Sequence, residues 1–259
     1  MFNCIFFNKL KKISLGFGLF CIIGLIFSCD KRDEFSYDLG LEYYPLVKGK
    51  YWIYSLDSIT YDTTNNGVIT IPGKGLLKEE IVDTLVNQQG ITEYIIERYF
   101  KKDSSDVWHF ADRLTQHFDL TGKYQGLRKE NNGTFIKVVF PVENSLRWDG
   151  NAFIDPTILV TVAGESIEMY KDWTYFMKEV NTKKTIGNYT FDATIVVQAG
   201  NNREVKTERR FNYEVYAKGV GLVYKEMEIL DTQNTTSTEP WEVKAQKGFI
   251  LKQILIDHN

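Results

Sequence analysis

Few residues in this chain are of types that do chemistry, and their spacing restricts what they can do. Of three cysteines, Cys4 and Cys21 lie in the first 28 residues and Cys29 follows directly. Residues 30–259 therefore offer no thiol nucleophile, no thiolate metal site and no internal disulfide. The histidines are His109, His117 and His258. With Asp112 and Asp119 nearby, His109 and His117 invite a metal reading. Eight residues separate them by about 26 Å on a strand or about 12 Å on a helix, whereas metal ligands converge near 2 Å. No metal site and no cofactor are expected. Gly164-Glu165-Ser166 fails the nucleophile-elbow frame on both sides, and no Gly-rich loop leads into a Lys-Ser/Thr pair. Gly219-Val220-Gly221 reads as relief of backbone strain. With 34 Asp and Glu, a glycosidase-type carboxylate pair stays open, because its separation is a three-dimensional quantity.

The one residue whose surroundings favour a definite chemistry is Cys29. Lys9, Lys11 and Lys12 precede an uncharged, mostly apolar run over residues 13–27. A permanent span needs about 20 apolar residues, so this run has the length and flanks of a secretory h-region. It ends in Ile26-Phe27-Ser28-Cys29, which resembles a bacterial lipobox: an aliphatic residue at −3, a small one at −1, then the obligatory Cys. Phe27 is larger than the usual residue at −2. The resemblance implies a signal peptide over 1–28 and lipidation of Cys29; the residues that follow read as a charged tether over 29–42 and a single β-rich domain over 43–259, opening at Tyr43-Tyr44-Pro45-Leu46. Membrane attachment would then run through N-terminal acyl chains, two or three of which hold firmly where one binds marginally.

The cluster Asp30-Lys31-Arg32-Asp33-Glu34 resembles the surface-export tag of Bacteroidota lipoproteins, implying an outer-membrane protein facing the medium. Asp directly after the lipidated Cys also resembles the inner-membrane retention signal of enteric bacteria, but that reading explains only Asp30. A plain solvated tether, facing the periplasm, is the third reading. Asp57-Ser58-Ile59, Asp62-Thr63-Thr64 and Asp83-Thr84-Leu85 resemble the O-glycosylation pattern of the same bacteria, implying Ser58, Thr63 and Thr84 as acceptors. Chance alone supplies roughly one such match in a chain of this size. The Asn-x-Ser/Thr sites at Asn132, Asn188 and Asn234 matter only in a eukaryotic secretory pathway.

Removing residues 1–28 takes three lysines from 31 Lys and Arg, leaving 28 against 34 acids and a formal charge of −6. An acidic domain lacks the basic footprint that nucleic acid demands. The partner expected is an unidentified glycan, lipid or protein.

The elements that must position any site read as strands. Tyr, Phe, Trp, Thr, Val and Ile suit a pleated, half-buried surface. Residues 51–61 alternate; 62–75 read as a loop, and 76–86 with 91–100 as a hairpin around Asn87-Gln88-Gln89-Gly90. A second hairpin runs over 123–130 and 135–142 around Asn131-Asn132-Gly133, where Asn-Gly suits a type I′ turn. Residues 189–198 alternate cleanly, a long strand follows through Phe211, Tyr213 and Val215, and 222–230 and 249–256 close the series. Ile167, Tyr170, Trp173, Met177 and Val180 sit at helical spacing, so one helix is allowed near 166–180. The expectation is a mainly β fold: an antiparallel meander forming a curved sheet, partial barrel or sandwich.

Thr185-Ile186-Gly187-Asn188-Tyr189-Thr190-Phe191, the segment Tyr216-Ala217-Lys218-Gly219-Val220-Gly221-Leu222-Val223-Tyr224-Lys225-Glu226 and the opening Tyr43-Tyr44-Pro45-Leu46 resemble bacterial envelope lipoproteins of unassigned function. That resemblance covers about a quarter of the mature chain and implies no catalytic residue. The aromatic crowding at Tyr43, Tyr44, Tyr51, Trp52, Tyr54 and Tyr61, and at Trp173, Tyr175 and Phe176, is expected to be core and cross-strand pairing. The function expected is non-enzymatic binding at the cell surface. The alternatives are a carboxylate-dependent glycan hydrolase and a structural lipoprotein of an envelope assembly.

Overall fold

Side chains that alternate in size and polarity every second residue produce fourteen strands in the computed structural model, which describes residues 37–201 and 206–259. They are β1 (Tyr51–Thr64), β2 (Gly67–Val86), β3 (Thr92–Lys101), β4 (His109–Asp119), β5 (Gln125–Glu130), β6 (Gly133–Val139) and β7 (Arg147–Trp148). After them come β8 (Leu159–Val162), β9 (Glu165–Glu168), β10 (Trp173–Ile186), β11 (Tyr189–Asn201), β12 (Glu208–Ala217), β13 (Gly221–Asp231) and β14 (Lys247–His258). One short helix, α1 (Trp241–Lys244), stands before β14. Among the described residues no helix is long and apolar enough to cross a membrane.

Twelve strands form one antiparallel sheet in the order β6-β5-β4-β3-β2-β1-β14-β13-β12-β11-β10-β7, and β8 and β9 pair separately. The two ends of the sheet approach each other. Ile136 of β6 donates its N–H to the Gly150 carbonyl at 2.8 Å, and Trp148 Nε1 donates to the Ile136 carbonyl at 3.0 Å. The sheet is thus a nearly closed barrel, which covers the edges that an open sheet would expose. Of the architectures expected from sequence, the curved, barrel-like meander is the one formed.

The compact unit begins at Asp38. A single 3-10 turn at Leu41–Tyr43 sends Tyr43 and Tyr44 into the barrel, where both are buried. Inward residues such as Ile81, Ile96, Leu114, Val138, Ile195 and Val197 fill much of the interior. A smaller cluster of Tyr61, Leu230, Ala245 and Ile250, covered by Trp241, packs separately.

Three local expectations are corrected. Residues 62–75 are a hairpin tip, not a loop: β1 and β2 stay in register down to Thr64↔Gly67, with Asn65-Asn66 as the turn. Pro72 and Gly73 are tolerated there because β3 reaches only as far as Leu76, so this stretch of β2 has one paired side, and proline removes no ladder bond at such an edge. No helix spans 166–180, which is β9, a turn and the first half of β10. Trp173, Tyr175 and Met177 face inward at period two, and pairing such as Met177↔Val197 supplies backbone partners from β11. Positive φ at Glu179 and Asn181 marks the irregularity that shifts the register between Lys178 and Thr182 and disguises the alternation. Finally, the second hairpin turns on Asn131-Asn132, both at positive φ (50° and 62°), with Glu130↔Gly133 closing it, one residue earlier than Asn132-Gly133. Asn accepts that conformation more readily than most residues.

Candidate functional site

Antiparallel register brings ionisable side chains of distant sequence to one level of the barrel interior. Across β1 to β4 the cross-strand neighbours are Trp52↔Glu79, Glu79↔Arg98 and Arg98↔Asp112. Across β4 and β5, Gln116 stands opposite Arg128. On the other side of the barrel Glu214↔Lys225 and Lys225↔Gln253 continue the level across β12, β13 and β14. Apart from Asp112, which stands at the rim, these residues enclose a cavity of about 60 Å³, with Glu130 and Lys137 also in its wall.

Each carboxylate in this girdle has cationic donors. Arg128 binds Glu79 bidentately, Nη1 to Oε2 at 3.0 Å and Nη2 to Oε1 at 2.5 Å. Arg98 adds Nε and Nη2 bonds to Glu79 Oε1 at 3.0 and 2.9 Å. Glu130 Oε2 accepts from Arg98 Nη2 at 2.8 Å and from Arg128 Nε at 3.0 Å. Lys137 reaches across to Glu214 Oε1 at 2.6 Å, and Tyr216 donates its hydroxyl to Glu214 Oε2 at 2.6 Å. At the rim Asp112, a third exposed, takes Arg98 Nη1 at 3.1 Å.

The electrostatics follow from these distances. Burial by itself would raise the Glu79 carboxyl, but Arg128 and Arg98 outweigh it and hold the group down at about 2. Burial opposes and Arg128 again prevails at Glu130, which is held far below the carboxylate range. At Glu214 burial is overcome by Lys137 and Lys225. Lys225 behaves oppositely: burial, and then the neighbouring Lys137, push its ammonium below the usual lysine range against the pull of Glu214.

Aromatic residues complete the wall. Tyr44 lies against Gly126, where a Cβ would stand 2.9 Å from its ring, and its hydroxyl donates to the Leu127 carbonyl at 3.2 Å. Trp52 Nε1 donates to the Val220 carbonyl at 2.6 Å and the Tyr54 hydroxyl to the Leu222 carbonyl at 3.0 Å. Their polar atoms are bound to backbone, and the rings present apolar surface to the cavity. Of the crowded aromatics, Tyr43, Tyr44, Trp52, Tyr54, Tyr61, Trp173 and Tyr175 are core, as expected, while Tyr51 and Phe176 are only half-buried and stand outside it; Tyr44, Trp52 and Tyr54 also line the cavity.

Cys29 and the cluster Asp30, Lys31, Arg32, Asp33 and Glu34 lie outside the described residues. The O-glycosylation candidates are strand residues: Thr63 and Thr84 are exposed and Ser58 is half-buried, facing the Gly73 carbonyl at 3.5 Å. The structure does not bring them together. His109 is exposed and pairs with Asp106 at 3.1 Å, His117 is buried, and His258 lies against Tyr189 at the end of β14.

Sequence reasoning passed over Glu79, Arg98, Arg128, Glu130, Lys137, Glu214 and Lys225. The local pattern pointed the wrong way: Glu214 shares its parity with Arg210, Asn212 and Tyr216, a mostly polar face that alternation alone would turn to solvent, and the structure buries it.

No family model and no curated relative matches the sequence. Among solved structures, a candidate lipoprotein of Parabacteroides distasonis ATCC 8503 aligns at 12% identity and TM-score 0.32, over 84% of this chain and 98% of that one. A candidate exported protein with a YmcC-like fold from Bacteroides fragilis NCTC 9343 aligns at 10% identity and TM-score 0.33, over 83% and 97%. At this level of similarity neither assigns a role, and the functional reading rests on the chain's own residues.

Proposed function

We propose that this is a lipid-anchored binding protein of the outer envelope, held by acyl chains on Cys29 and facing the medium, which takes a small polar ligand into its barrel. The observation that carries the binding role is the charged cavity. Burying ionised groups costs several kcal/mol each before pairing offsets it, and well-packed apolar residues are often as stable in their place. Charged groups gathered around a cavity inside a barrel are therefore better explained by a ligand than by stability. About 60 Å³ is enough for a few water-sized groups and far below the roughly 300–1,000 Å³ of a drug-sized pocket. A compact ligand, or the compact head of a longer one, fits.

The same girdle disfavours glycan hydrolysis at this place. A glycosidase needs one carboxyl still protonated near neutral pH, and Glu79, Glu130 and Glu214 are all held ionised. The envelope address is supported by the h-region, the Ile26-Phe27-Ser28-Cys29 boundary and the charged cluster behind it.

Native mass spectrometry of the protein extracted from its own membranes tests the binding role. A reproducible small added mass, lost in Arg128→Met, is expected; an empty wild-type protein refutes it. Fatty-acid labelling that disappears in Cys29→Ala tests the anchor. Protease shaving of intact cells tests the address: wild-type protein is digested, and a variant with residues 30–34 replaced by Ala is protected. Wild-type protection places the domain in the periplasm instead.

A further inference from the structure

Within the girdle the charges are unequal in how well they are met. The cavity wall carries four cations, Arg98, Arg128, Lys137 and Lys225, against three carboxylates, Glu79, Glu130 and Glu214. Three of the four cations hydrogen-bond a carboxylate. Lys225 does not: its ammonium stands 3.9 Å from Glu214 Oε1, beyond hydrogen-bond reach, and it makes no hydrogen bond among the described residues. Glu214 already accepts from Lys137 and Tyr216 at 2.6 Å each, so it has little reason to move toward Lys225. The Lys225 side chain is only 18% exposed, so bulk water screens it poorly. The cross-strand neighbour on its other side is Gln253, which is neutral.

We propose that the cavity binds a carboxylate group, with the ammonium of Lys225 as its counter-ion. This inference deepens the binding role above and rests on it. The class follows from charge and volume together. Asp112 stands outside the lining and meets Arg98 at the rim at 3.1 Å, so the one cation of the wall without a hydrogen-bonded carboxylate is Lys225. A monoanion matches that single ammonium, whereas a doubly charged phosphate would bring a further buried negative charge, which is costly without a partner. A carboxylate head of a few heavy atoms suits about 60 Å³, and the rings of Tyr44, Trp52 and Tyr54 supply apolar wall for the carbon chain behind it. A carboxylate beside Lys225 would add to the upward pull of Glu214 and Glu130 on its ammonium, against the downward push of burial, Lys137 and Arg128, so binding should tighten as pH falls toward neutrality from the alkaline side.

The test titrates the full-length lipidated protein in detergent with sodium acetate at constant ionic strength, reading the thermal midpoint. Acetamide serves as the neutral isostere and phosphate as the dianion. Acetate is expected to raise the midpoint saturably and acetamide to leave it unchanged. Lys225→Met should weaken the apparent acetate affinity at least tenfold while remaining folded, and Lys225→Arg should retain it. Equal acetate response in wild type and Lys225→Met overturns the proposal, as does a response to phosphate alone. A saturable acetamide effect without an acetate effect leaves the cavity a binding site and removes the carboxylate. Absence of any acetate effect overturns the carboxylate assignment, while the endogenous mass found by native spectrometry judges the binding role separately.

Discussion

The wall formed by β12 and β13 has two faces that reverse the usual distribution of polarity. Inward it presents Glu214, Tyr216 and Lys225. Outward it carries Phe211 and Tyr213, with nearly parallel rings and centroids 6.5 Å apart, and Tyr224, edge-on to Tyr213 at 6.0 Å. Cations lie over this outer stripe too: Lys178 is 5.5 Å from the Tyr213 ring centre and Arg209 is 5.0 Å from that of Phe211. Both faces pair cations with electron-rich partners. They differ in the medium. Outside, solvent meets any group whose partner leaves, so a cation over a ring adds about 0.5–1 kcal/mol. Inside, a charge that loses its partner has nothing else to turn to. The inner girdle is therefore obligatory in its pairing, and its one member without a hydrogen-bonded partner, Lys225, is the place to look for a ligand.

The largest effect expected is from Arg128→Ala, which strips donors from both Glu79 and Glu130. Leaving buried carboxylates short of partners should lower stability by about 3–5 kcal/mol, read from urea denaturation. A loss below about 1 kcal/mol would mean water replaces the guanidinium freely and the interior is not the dry face supposed here.

Acid comes next. The Glu79 carboxyl is held at about 2 when folded against an ordinary 4.5. A depressed carboxylate contributes its stability above the unfolded value and loses it as pH falls through the folded one. Stability should therefore decline between pH 4.5 and about 2, Glu79 alone accounting for about 3 kcal/mol at most, with Glu130 and Glu214 acting in the same direction. Equilibrium unfolding across that range checks it; a flat profile would contradict the pairing.

The outer stripe should respond more gently. Tyr213→Ala removes one ring from contact with Phe211, Tyr224 and Lys178 and should cost about 1–2 kcal/mol. A cost equal to that of Arg128→Ala would erase the contrast between the faces. Lys225→Met, by comparison, should leave stability at pH 7 unchanged or slightly raised, since it removes a buried charge without stranding a hydrogen-bonded partner. A large loss there would show Lys225 to be as firmly paired as Arg128. Reductant should alter neither face, because residues 30–259 hold no cysteine; a shifted melting curve would be incompatible with that composition.

The hairpin of β5 and β6 was legible because Asn131-Asn132-Gly133 carries its own turn chemistry and the flanking residues alternate. β10 was not, because its irregularity at 179–181 breaks the alternation and leaves a spacing that imitates a helix. The hairpin tip over 62–75 was hidden by Pro72 and Gly73, whose presence in a strand makes sense only when the edge there is known to be unpaired. The site was hidden for a different reason. Glu79 and Arg128 are 49 residues apart in sequence and Lys137 and Glu214 are 77 apart, and no local pattern connects them.

By itself the sequence determined that the chain after residue 29 can have no disulfide and no thiolate chemistry, that it is acidic, and that it folds mainly as antiparallel strands. Those follow from composition and from period-two alternation, which are local properties. Only the tertiary structure decided which face of each strand lies inside and which residues meet there. The pairing of β1 with β14, from Trp52↔His258 to Tyr61↔Gly248, joins the two ends of the domain. Alternation assigns residues to two faces, but a face becomes an interior only when the sheet curls. The register of distant strands, set by packing of the whole barrel, then fixes which charges share a level.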